Sequence, residues 1–139
     1  MPTSHLTRTV EFTAGHRVRR ADWSPAENAA AFGKAAAAHE HRYQVSVTVR
    51  GPLDATKKGV VNLGELDRVL REEIVARLDG KVINDALPEF ADGGRLATGE
   101  ALAVYFWERV APRIPTGVAL ERVRVQESPH LYSEYCGEP

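Results

Sequence analysis

The chain has 139 residues, of which 43% are hydrophobic and 27% are charged, and its formal net charge at pH 7 is -1. This composition predicts one soluble globular domain, and the near-zero charge gives no overall attraction to nucleic acid or to an anionic membrane surface. The single cysteine excludes a disulfide framework within the chain, and no apolar run has the roughly 18 residues of a membrane helix. Because the N-terminal segment also lacks the apolar core of a signal peptide, we expect a cytoplasmic protein with a single domain over residues 1-139.

The first predicted element is a strand whose apolar face ends on a histidine. Residues 7 to 13 alternate between apolar and polar side chains, which is the period of a half-buried strand. If the chain stays extended beyond this segment, the side chains on one face are Val10, Phe12, Ala14 and His16. Residues 17 to 31 then predict a loop and a short helical turn, with Ser24 as its cap and Pro25 at the first helical position.

The second predicted strand, Arg42 to Arg50, is preceded by two histidines on its apolar face, His39 and His41. The same face continues with Tyr43, Val45, Val47 and Val49. Together with His16, the two histidines give three neutral imidazoles, a zinc ligand set that leaves a fourth position open for water or substrate. The alternative is that each histidine is a hydrogen-bonded residue of the core or of a strand end.

Two helices are predicted in the middle of the chain. Residues 51 to 59 begin with Gly-Pro and form a loop that carries Lys57 and Lys58. A helix then begins at the N-cap Asn62 and ends at Asp79-Gly80, with glycine in its usual place after the C-terminus. Residues 81 to 97 show little periodicity and predict an irregular connection. The second helix is capped by Thr98, and its apolar stripe is Leu102, Tyr105, Phe106 and Val110.

Two further strands are predicted at the C-terminal end, from Val118 to Ser128 and from Leu131 to Gly137. One side of the first of these carries Val123, Val125 and Glu127. A carboxylate at the end of an apolar stripe is costly to bury alone, so Glu127 is exposed, salt-bridged or bound to a ligand. The order ββααββ predicts an α+β domain in which both helices cover one face of a four-stranded antiparallel sheet.

Short motifs along the chain carry a resemblance to a known family. They are Glu-Phe-Thr-Ala-Gly-His ending at His16, Phe-Gly-Lys at 32 to 34, His39-x-His41-x-Tyr43, Val61-Asn62-Leu63, Leu78-Asp79, Asn84-Asp85, Thr98-Gly99-Glu100 and Val125-Gln126-Glu127-Ser128. In these motifs the chain resembles 6-pyruvoyl-tetrahydropterin synthase and its bacterial relative 6-carboxy-tetrahydropterin synthase over nearly its whole length. The resemblance implies a tunnelling-fold (T-fold) unit and a homo-oligomer, in which trimers with barrel-forming sheets pair into hexamers with sites between subunits.

The same resemblance implies zinc as the cofactor and assigns roles to site residues. The metal ligands would be His16, His39 and His41. The substrate-binding residues would be Thr98, Glu100 and Glu127. Among them, Glu127 would anchor the guanidine-like edge of a pterin ring.

Two positions depart from the family pattern. Ala35 stands where family members commonly carry a cysteine general base, and Gly80 stands where they carry the histidine of an Asp-His pair. Alanine and glycine side chains transfer no protons, so Asp79 is the one expected acid/base group that remains. His130, three residues from Glu127, is the predicted replacement, because the pKa range of histidine suits proton transfer. Weaker candidates are Glu40, Tyr132 and Glu134.

These observations predict a zinc-dependent lyase or cyclase-type enzyme of the carbon-oxygen lyase type. Its acid/base residues have diverged, and so has its substrate, a pterin-like or other hydroxylated or carbonyl small molecule of specialised biosynthesis. Three alternatives stay open: synthase activity on dihydroneopterin triphosphate with relocated acid/base groups, a pterin-binding homologue without turnover, and a structural oligomer whose histidines belong to the core.

Overall fold

The protein is described here by a computed structural model that covers residues 2–53 and 59–139. The predicted loop lysines, Lys57 and Lys58, lie outside these residues. Within the described part of the chain, no helix is both long and apolar enough to span a membrane. The buried apolar residues of that part form a hydrophobic cluster between a sheet and its helices.

A five-stranded sheet with the order β3-β1-β2-β4-β5 forms the framework. Its strands are β1 (Thr3–His16), β2 (His39–Pro52), β3 (Lys81–Val82), β4 (Ala119–Ser128) and β5 (Leu131–Tyr135). Neighbouring strands pair antiparallel, except that β3 runs parallel to β1 at Ala14 and Gly15. The α+β class is therefore confirmed. The predicted four strands omitted β3, because two residues are too few to show a period in the sequence.

Helices connect the strands, and those between β2 and β4 cover one face of the sheet. The helices are α1 (Pro25–Phe32), α2 (Leu63–Leu70), α3 (Ala76–Leu78), α4 (Ile83–Ala86) and α5 (Gly99–Val110), with 3-10 turns at Gly33–Ala36, Pro88–Phe90 and Ala111–Arg113. A π-helical stretch, Arg71–Val75, joins α2 to α3, so the predicted helix after Asn62 runs on to Leu78. The prediction of an irregular connection over residues 81 to 97 was too simple, since this segment contains β3, α4 and one 3-10 turn.

The predicted helix caps are confirmed. The side chains of Ser24, Asn62 and Thr98 each accept a hydrogen bond from the backbone N–H three residues later. Ser24 also forms a full capping box with Glu27, whose side chain accepts from the Ser24 backbone N–H. Each cap satisfies an N–H group that the helix itself leaves free and contributes about 1 kcal/mol.

The core lies between the helices and one face of the sheet. The buried apolar residues of β1, β2 and β4 follow the predicted period of two and are Phe12, Ala14, Tyr43, Val45, Val47, Val49, Val123 and Val125. From the helical side, the buried residues include Leu66, Leu70, Ile74, Leu78, Leu102, Phe106 and Val110. Burying each large side chain of this kind stabilises the fold by about 1.5–3 kcal/mol, so the core fixes the strand register firmly.

The register of β1 against β2 brings the histidines to one end of the sheet. The paired positions there are His16 with His39, Ala14 with His41 and Phe12 with Tyr43. The rings of His16 and His41 lie 5.0 Å apart, measured between their centroids.

Candidate metal centre

Three imidazoles converge where β1 ends and β2 begins. The ring centroids of His16 and His39 are 4.5 Å apart, those of His16 and His41 5.0 Å, and those of His39 and His41 4.7 Å. One nitrogen atom from each ring lies within 4.8 Å of the other two. Nitrogen ligands at about 2.0–2.1 Å from a tetrahedral zinc are about 3.4 Å from one another, so small ring rotations bring these atoms to metal-binding distance. The structure thus places the three predicted metal ligands in one cluster.

Backbone carbonyls orient two of the rings. Nδ1 of His16 is 2.6 Å from the carbonyl oxygen of Ala97, and Nδ1 of His39 is 2.8 Å from that of Ala37. A carbonyl only accepts, so each Nδ1 donates its hydrogen and each Nε2 keeps a free lone pair. Metal-binding histidines commonly use their second nitrogen in this way, and the two carbonyls therefore fix the tautomer that binds a metal.

The second nitrogen of His16 suits a metal ion. The residue is 2% exposed, and its Nε2 has no hydrogen-bond partner among the described residues. Burial lowers the pKa of His16 to about 4, although the hydrogen bond to Ala97 opposes this shift. Burial, followed by the neighbouring His39, also lowers the pKa of His41. At pH 7 both imidazoles are neutral, the form that binds zinc, so the residues present fit the ion that the sequence predicts.

Glu127 lies beside the histidines at the end of β4. Its Oε2 atom is 3.8 Å from Nε2 of His41, and its carboxylate accepts a hydrogen bond from the backbone N–H of Gly99. Burial raises the pKa of Glu127 and the charge of Glu100 raises it further, while the Gly99 hydrogen bond lowers it. The carboxylate sits at the N-terminus of α5, where the helix dipole favours an anion. This half-buried acceptor next to the histidines suits a ligand with N–H donors.

Gly99 provides the space that Glu127 occupies. A Cβ atom at position 99 would lie 2.6 Å from Oε1 of Glu127 and 3.1 Å from Oγ of Ser133. Any side chain there would displace the carboxylate. Sequence reasoning missed this role; the available signal was a glycine, a poor helix former, directly after the cap Thr98.

Tyr43 lies next to the histidines on the same face of the sheet. Its ring centroid is 5.6 Å from that of His41 and 5.9 Å from that of His16, and it stacks on Phe12 at 5.1 Å. The side chain is fully buried, and its hydroxyl has no hydrogen-bond partner in the described part of the chain. Burial, and secondarily Glu127, raise the pKa of Tyr43, so its hydroxyl stays protonated. Strand alternation had predicted only that this ring faces the core.

A cavity of about 400 Å³ opens beside His41 and Glu127. Small-molecule sites usually have volumes of roughly 300–1,000 Å³, so this space suits a compact ligand. Its lining residues are Glu40, His41, Arg42, Gln44, Gln126, Glu127, Ser128 and Pro129. All of these residues except Pro129 have polar or charged side chains, and Glu40 is among them.

Thr98 and Glu100, the other predicted substrate-binding residues, flank Gly99 at the start of α5. The hydroxyl of Thr98 accepts the backbone N–H of Ala101 at 3.3 Å, so this oxygen already serves as the helix cap. Glu100 is exposed, and it acts on Glu127 through its charge. The structure therefore groups both residues with Glu127 rather than with the histidines.

The two predicted catalytic residues, Asp79 and His130, lie in different parts of the fold. Asp79 is exposed, and its Oδ1 accepts the backbone N–H of Thr13 at 3.0 Å, which ties the end of α3 to the edge of β1. His130 is exposed in the turn between β4 and β5, and it is not among the residues that line the cavity. The weaker candidates Tyr132 and Glu134 lie on β5, where both contact Arg124.

Ala35 and Gly80, the two positions at which the resemblance leads us to expect other residues, both make backbone hydrogen bonds. The carbonyl of Ala35 accepts the backbone N–H of Val18 at 2.7 Å. Gly80 has a φ of 76°, and its N–H donates to the carbonyl of Thr13 at 2.7 Å. A left-handed residue that ends a helix is usually glycine, so the predicted structural role of Gly80 is confirmed.

Comparison with known proteins gives a consistent result. The sequence profile described as "PTPS: 6-pyruvoyl tetrahydropterin synthase" matches residues 5–138. The 6-pyruvoyl tetrahydrobiopterin synthase of Homo sapiens is 36% identical over 137 residues, which cover 97% of this chain and 92% of that protein. The enzyme of the same name from Drosophila melanogaster is 36% identical over 138 residues, covering 98% of this chain and 81% of that protein.

A solved structure extends this likeness to the fold. The 6-pyruvoyl tetrahydropterin synthase of Caenorhabditis elegans superposes with a TM-score of 0.90 at 27% sequence identity, covering 99% of this chain and 98% of that one. The predicted T-fold is thereby confirmed. With the profile match over almost the whole sequence and relatives more than one-third identical, the chain belongs to the 6-pyruvoyl tetrahydropterin synthase family.

Proposed function

We propose that this protein is a zinc-dependent lyase that acts on a pterin or a pterin-like small molecule. The observation that carries the proposal is the convergence of His16, His39 and His41 beside a carboxylate, with Glu127 at 3.8 Å from His41. The names of the relatives, 6-pyruvoyl tetrahydrobiopterin synthase, support a pterin as the ligand class.

The histidines would hold the metal. His16 and His39 would bind through Nε2, because their Nδ1 atoms are held by the carbonyls of Ala97 and Ala37, and His41 would complete the set. Zinc bound there would supply Lewis-acid polarisation of a substrate oxygen. The two carbonyls keep the rings oriented, so little reorganisation is needed on metal binding.

Glu127 would orient the substrate. A carboxylate accepts two parallel hydrogen bonds from a guanidine-like group, and the amino group and adjacent ring N–H of a pterin present that pattern. The N–H of Gly99 holds Glu127 in place from behind. Because the site is partly shielded from water, these hydrogen bonds are stronger than they would be at an exposed surface.

Proton transfer is where this chain departs from its family. Ala35 and Gly80 carry no titratable group, so we propose Asp79 and His130 as the acid/base residues. Oδ1 of Asp79 is held by Thr13, so a proton would move through Oδ2. His130 follows Pro129, a residue of the cavity wall, in an exposed turn. With this altered set we expect a diverged hydroxylated or carbonyl substrate.

Ala35 and Gly80 also favour a second candidate, a pterin-binding homologue without turnover. One experiment, repeated with other pterins, separates the two and also tests synthase activity with relocated groups. The zinc-loaded protein is incubated with dihydroneopterin triphosphate, and both binding and products are followed, the products by mass spectrometry. His39→Ala serves as the metal-free variant, and His5→Ala, an exposed histidine on β1, serves as its matched control.

We expect binding that depends on zinc and on Glu127, with slow or no formation of a 6-pyruvoyl or 6-carboxy pterin. Rapid formation of either product would instead favour a synthase with relocated acid/base groups, and His130→Ala would be the next variant. Binding without turnover of this or other pterins would favour the silent homologue. If the protein binds neither zinc nor a pterin, the proposal is contradicted altogether.

We also propose that the protein is a homo-oligomer built from trimers. The support is at the edge of the sheet, where β5 exposes two large apolar side chains, Leu131 and Tyr132, each 53% exposed. An open strand edge with exposed apolar groups favours pairing with another chain. Light scattering after size-exclusion chromatography should give three or six times the mass of one chain, and a monomer would contradict this proposal.

A further inference from the structure

We propose that Tyr43 is a ligand-binding residue of this site, whose hydroxyl donates a hydrogen bond to the pterin that Glu127 anchors. The inference rests on the proposed function, because it takes a pterin as the ligand. It adds a polar contact that neither the zinc ligands nor the carboxylate provides.

Tyr43 lies beside the histidines on β2 and, across the sheet, beside Glu127 on β4. It follows His41 by two residues on the same face of β2, and its ring centroid is 5.6 Å from that of His41. The register of β2 against β4 pairs Gln44 with Gln126, so positions 43 and 127 are neighbours across the two strands. Tyr43 is therefore adjacent both to a proposed metal ligand and to the proposed pterin anchor.

The hydroxyl of Tyr43 is held rigidly and has no partner in the described part of the chain. The ring stacks on Phe12 with an interplanar angle of 18°, and the side chain has 0% exposure. A buried hydroxyl without a hydrogen bond destabilises a fold, and a phenylalanine would fill the same space without that penalty. A polar group in such a position therefore indicates that its hydrogen-bond partner is an atom of the bound ligand.

The chemistry of a pterin ring supplies that partner. The amino group and the adjacent ring N–H donate hydrogen bonds, and the carboxylate of Glu127 accepts them. On either side of this edge the ring carries acceptors, a carbonyl oxygen and a ring nitrogen, which a carboxylate cannot bind. A neutral hydroxyl beside Glu127 provides the donor that these acceptors require.

The test compares Tyr43→Phe with Tyr105→Phe in the zinc-loaded protein. Tyr105 is also buried, at 3% exposure, but it lies on α5 against Phe90. Binding of 7,8-dihydroneopterin, which has no triphosphate to lose, is measured by titration calorimetry, together with zinc content and the unfolding midpoint in urea. We expect Tyr43→Phe to weaken binding about 3- to 10-fold, the effect of one hydrogen bond. Its zinc content should match wild type and its unfolding midpoint should not fall, and Tyr105→Phe should bind like wild type.

Each other outcome overturns the assignment in a recognisable way. If Tyr43→Phe binds as tightly as wild type, Tyr43 makes no ligand contact, while the proposed function stands. If Tyr43→Phe loses zinc, its hydroxyl serves the metal site instead of the pterin. If Tyr105→Phe weakens binding equally, the loss reflects core packing. If wild type itself does not bind 7,8-dihydroneopterin, the proposed function fails and the role of Tyr43 fails with it.

Discussion

The two ends of the β1–β2 pair differ in whether their polar side-chain atoms are hydrogen-bonded. Towards the end remote from the histidines, hydroxyl groups on the outer face bond to each other, Thr7 to Thr48 at 2.7 Å and Thr9 to Ser46 at 2.8 Å. The core-facing side chains of β2 in that half are Val45, Val47 and Val49, all fully buried. At the histidine end, the same core face carries Nε2 of His16 and the hydroxyl of Tyr43, neither with a hydrogen-bond partner among the described residues.

This difference separates stability from binding within one pair of strands. Buried polar groups are nearly always hydrogen-bonded, so two unpaired groups with ring centroids 5.9 Å apart indicate a role beyond packing. The aliphatic half supplies buried apolar area and fixes the register. The histidine half keeps groups that reduce stability in the absence of a ligand, which is typical of functional sites. The predictions below address the two halves in turn.

The largest effect is expected from His16→Ala. Removing one of three protein ligands should lower zinc affinity by more than about 100-fold, since even loss of a residue that only supports a zinc ligand lowers it 10- to 100-fold. Zinc content by atomic emission and affinity by competition with a chelator measure this change. His5→Ala removes an exposed histidine from the same strand and should leave zinc binding intact. Equal zinc content in both variants would contradict the metal centre.

A substitution in the aliphatic half should lower stability and leave zinc binding unchanged. Val47→Ala removes two methyl groups from a fully buried position, and we expect the free energy of unfolding to fall by about 2 kcal/mol from lost burial and the resulting cavity. Urea denaturation measures this loss. Zinc content per folded chain should stay at the wild-type value, because Val47 lies six residues beyond His41 on β2. Loss of zinc in this variant would show that the two halves are coupled.

Much of the fold was predictable because its signals are local. Strand alternation identified the core face of β1, β2 and β4, and Ser24, Asn62 and Thr98 marked three helix starts. Both long strands, Thr3–His16 and His39–Pro52, are longer than the alternating segments that predicted them. Backbone pairing between the strands continues where the side-chain pattern weakens. The π-helical stretch in the first long helix had no signal of its own.

Of the candidate site, the sequence could predict only those side chains whose positions follow from strand alternation. The spacing of His16, His39 and His41 on two strand faces favoured a shared site, the family resemblance named them as metal ligands, and the structure shows that they converge. The carbonyls of Ala97 and Ala37 that orient the rings gave no signal, because any residue carries a carbonyl and only the tertiary fold brings it there.

Gly99→Ala tests the pterin side of the histidine end. The added methyl would lie 2.6 Å from Oε1 of Glu127, so the carboxylate must move, and we expect pterin affinity to fall about tenfold, the loss of roughly one charge-assisted hydrogen bond. Zinc content should not change. Calorimetric titration with 7,8-dihydroneopterin measures the affinity.

Gly64→Ala is the matched control for Gly99→Ala. Gly64 also lies in the first turn of a helix, but its nearest neighbour to a new Cβ is Oδ1 of Asn62 at 3.4 Å, an ordinary contact. We expect unchanged pterin affinity and a gain in stability of about 0.5–1 kcal/mol. Equal affinities for the two variants would mean that Glu127 does not depend on the glycine at position 99.

Gly80→Ala tests a position outside both halves of the strand pair, where we expect an effect on stability alone. No atom lies within 4 Å of a Cβ built there, but the φ of 76° strains any residue with a side chain. The free energy of unfolding should fall by about 1–2 kcal/mol in urea denaturation, with zinc and pterin affinities unchanged. Gly80→Asn should lose less, because asparagine tolerates this conformation better. Gly80→His, which introduces the histidine that the resemblance leads us to expect, would carry the same strain, so any activity that it gains must be compared at equal folded fraction. If Gly80→Ala and Gly80→Asn both match wild type in stability, the glycine is not required by the backbone, and the absence of histidine there needs a functional explanation.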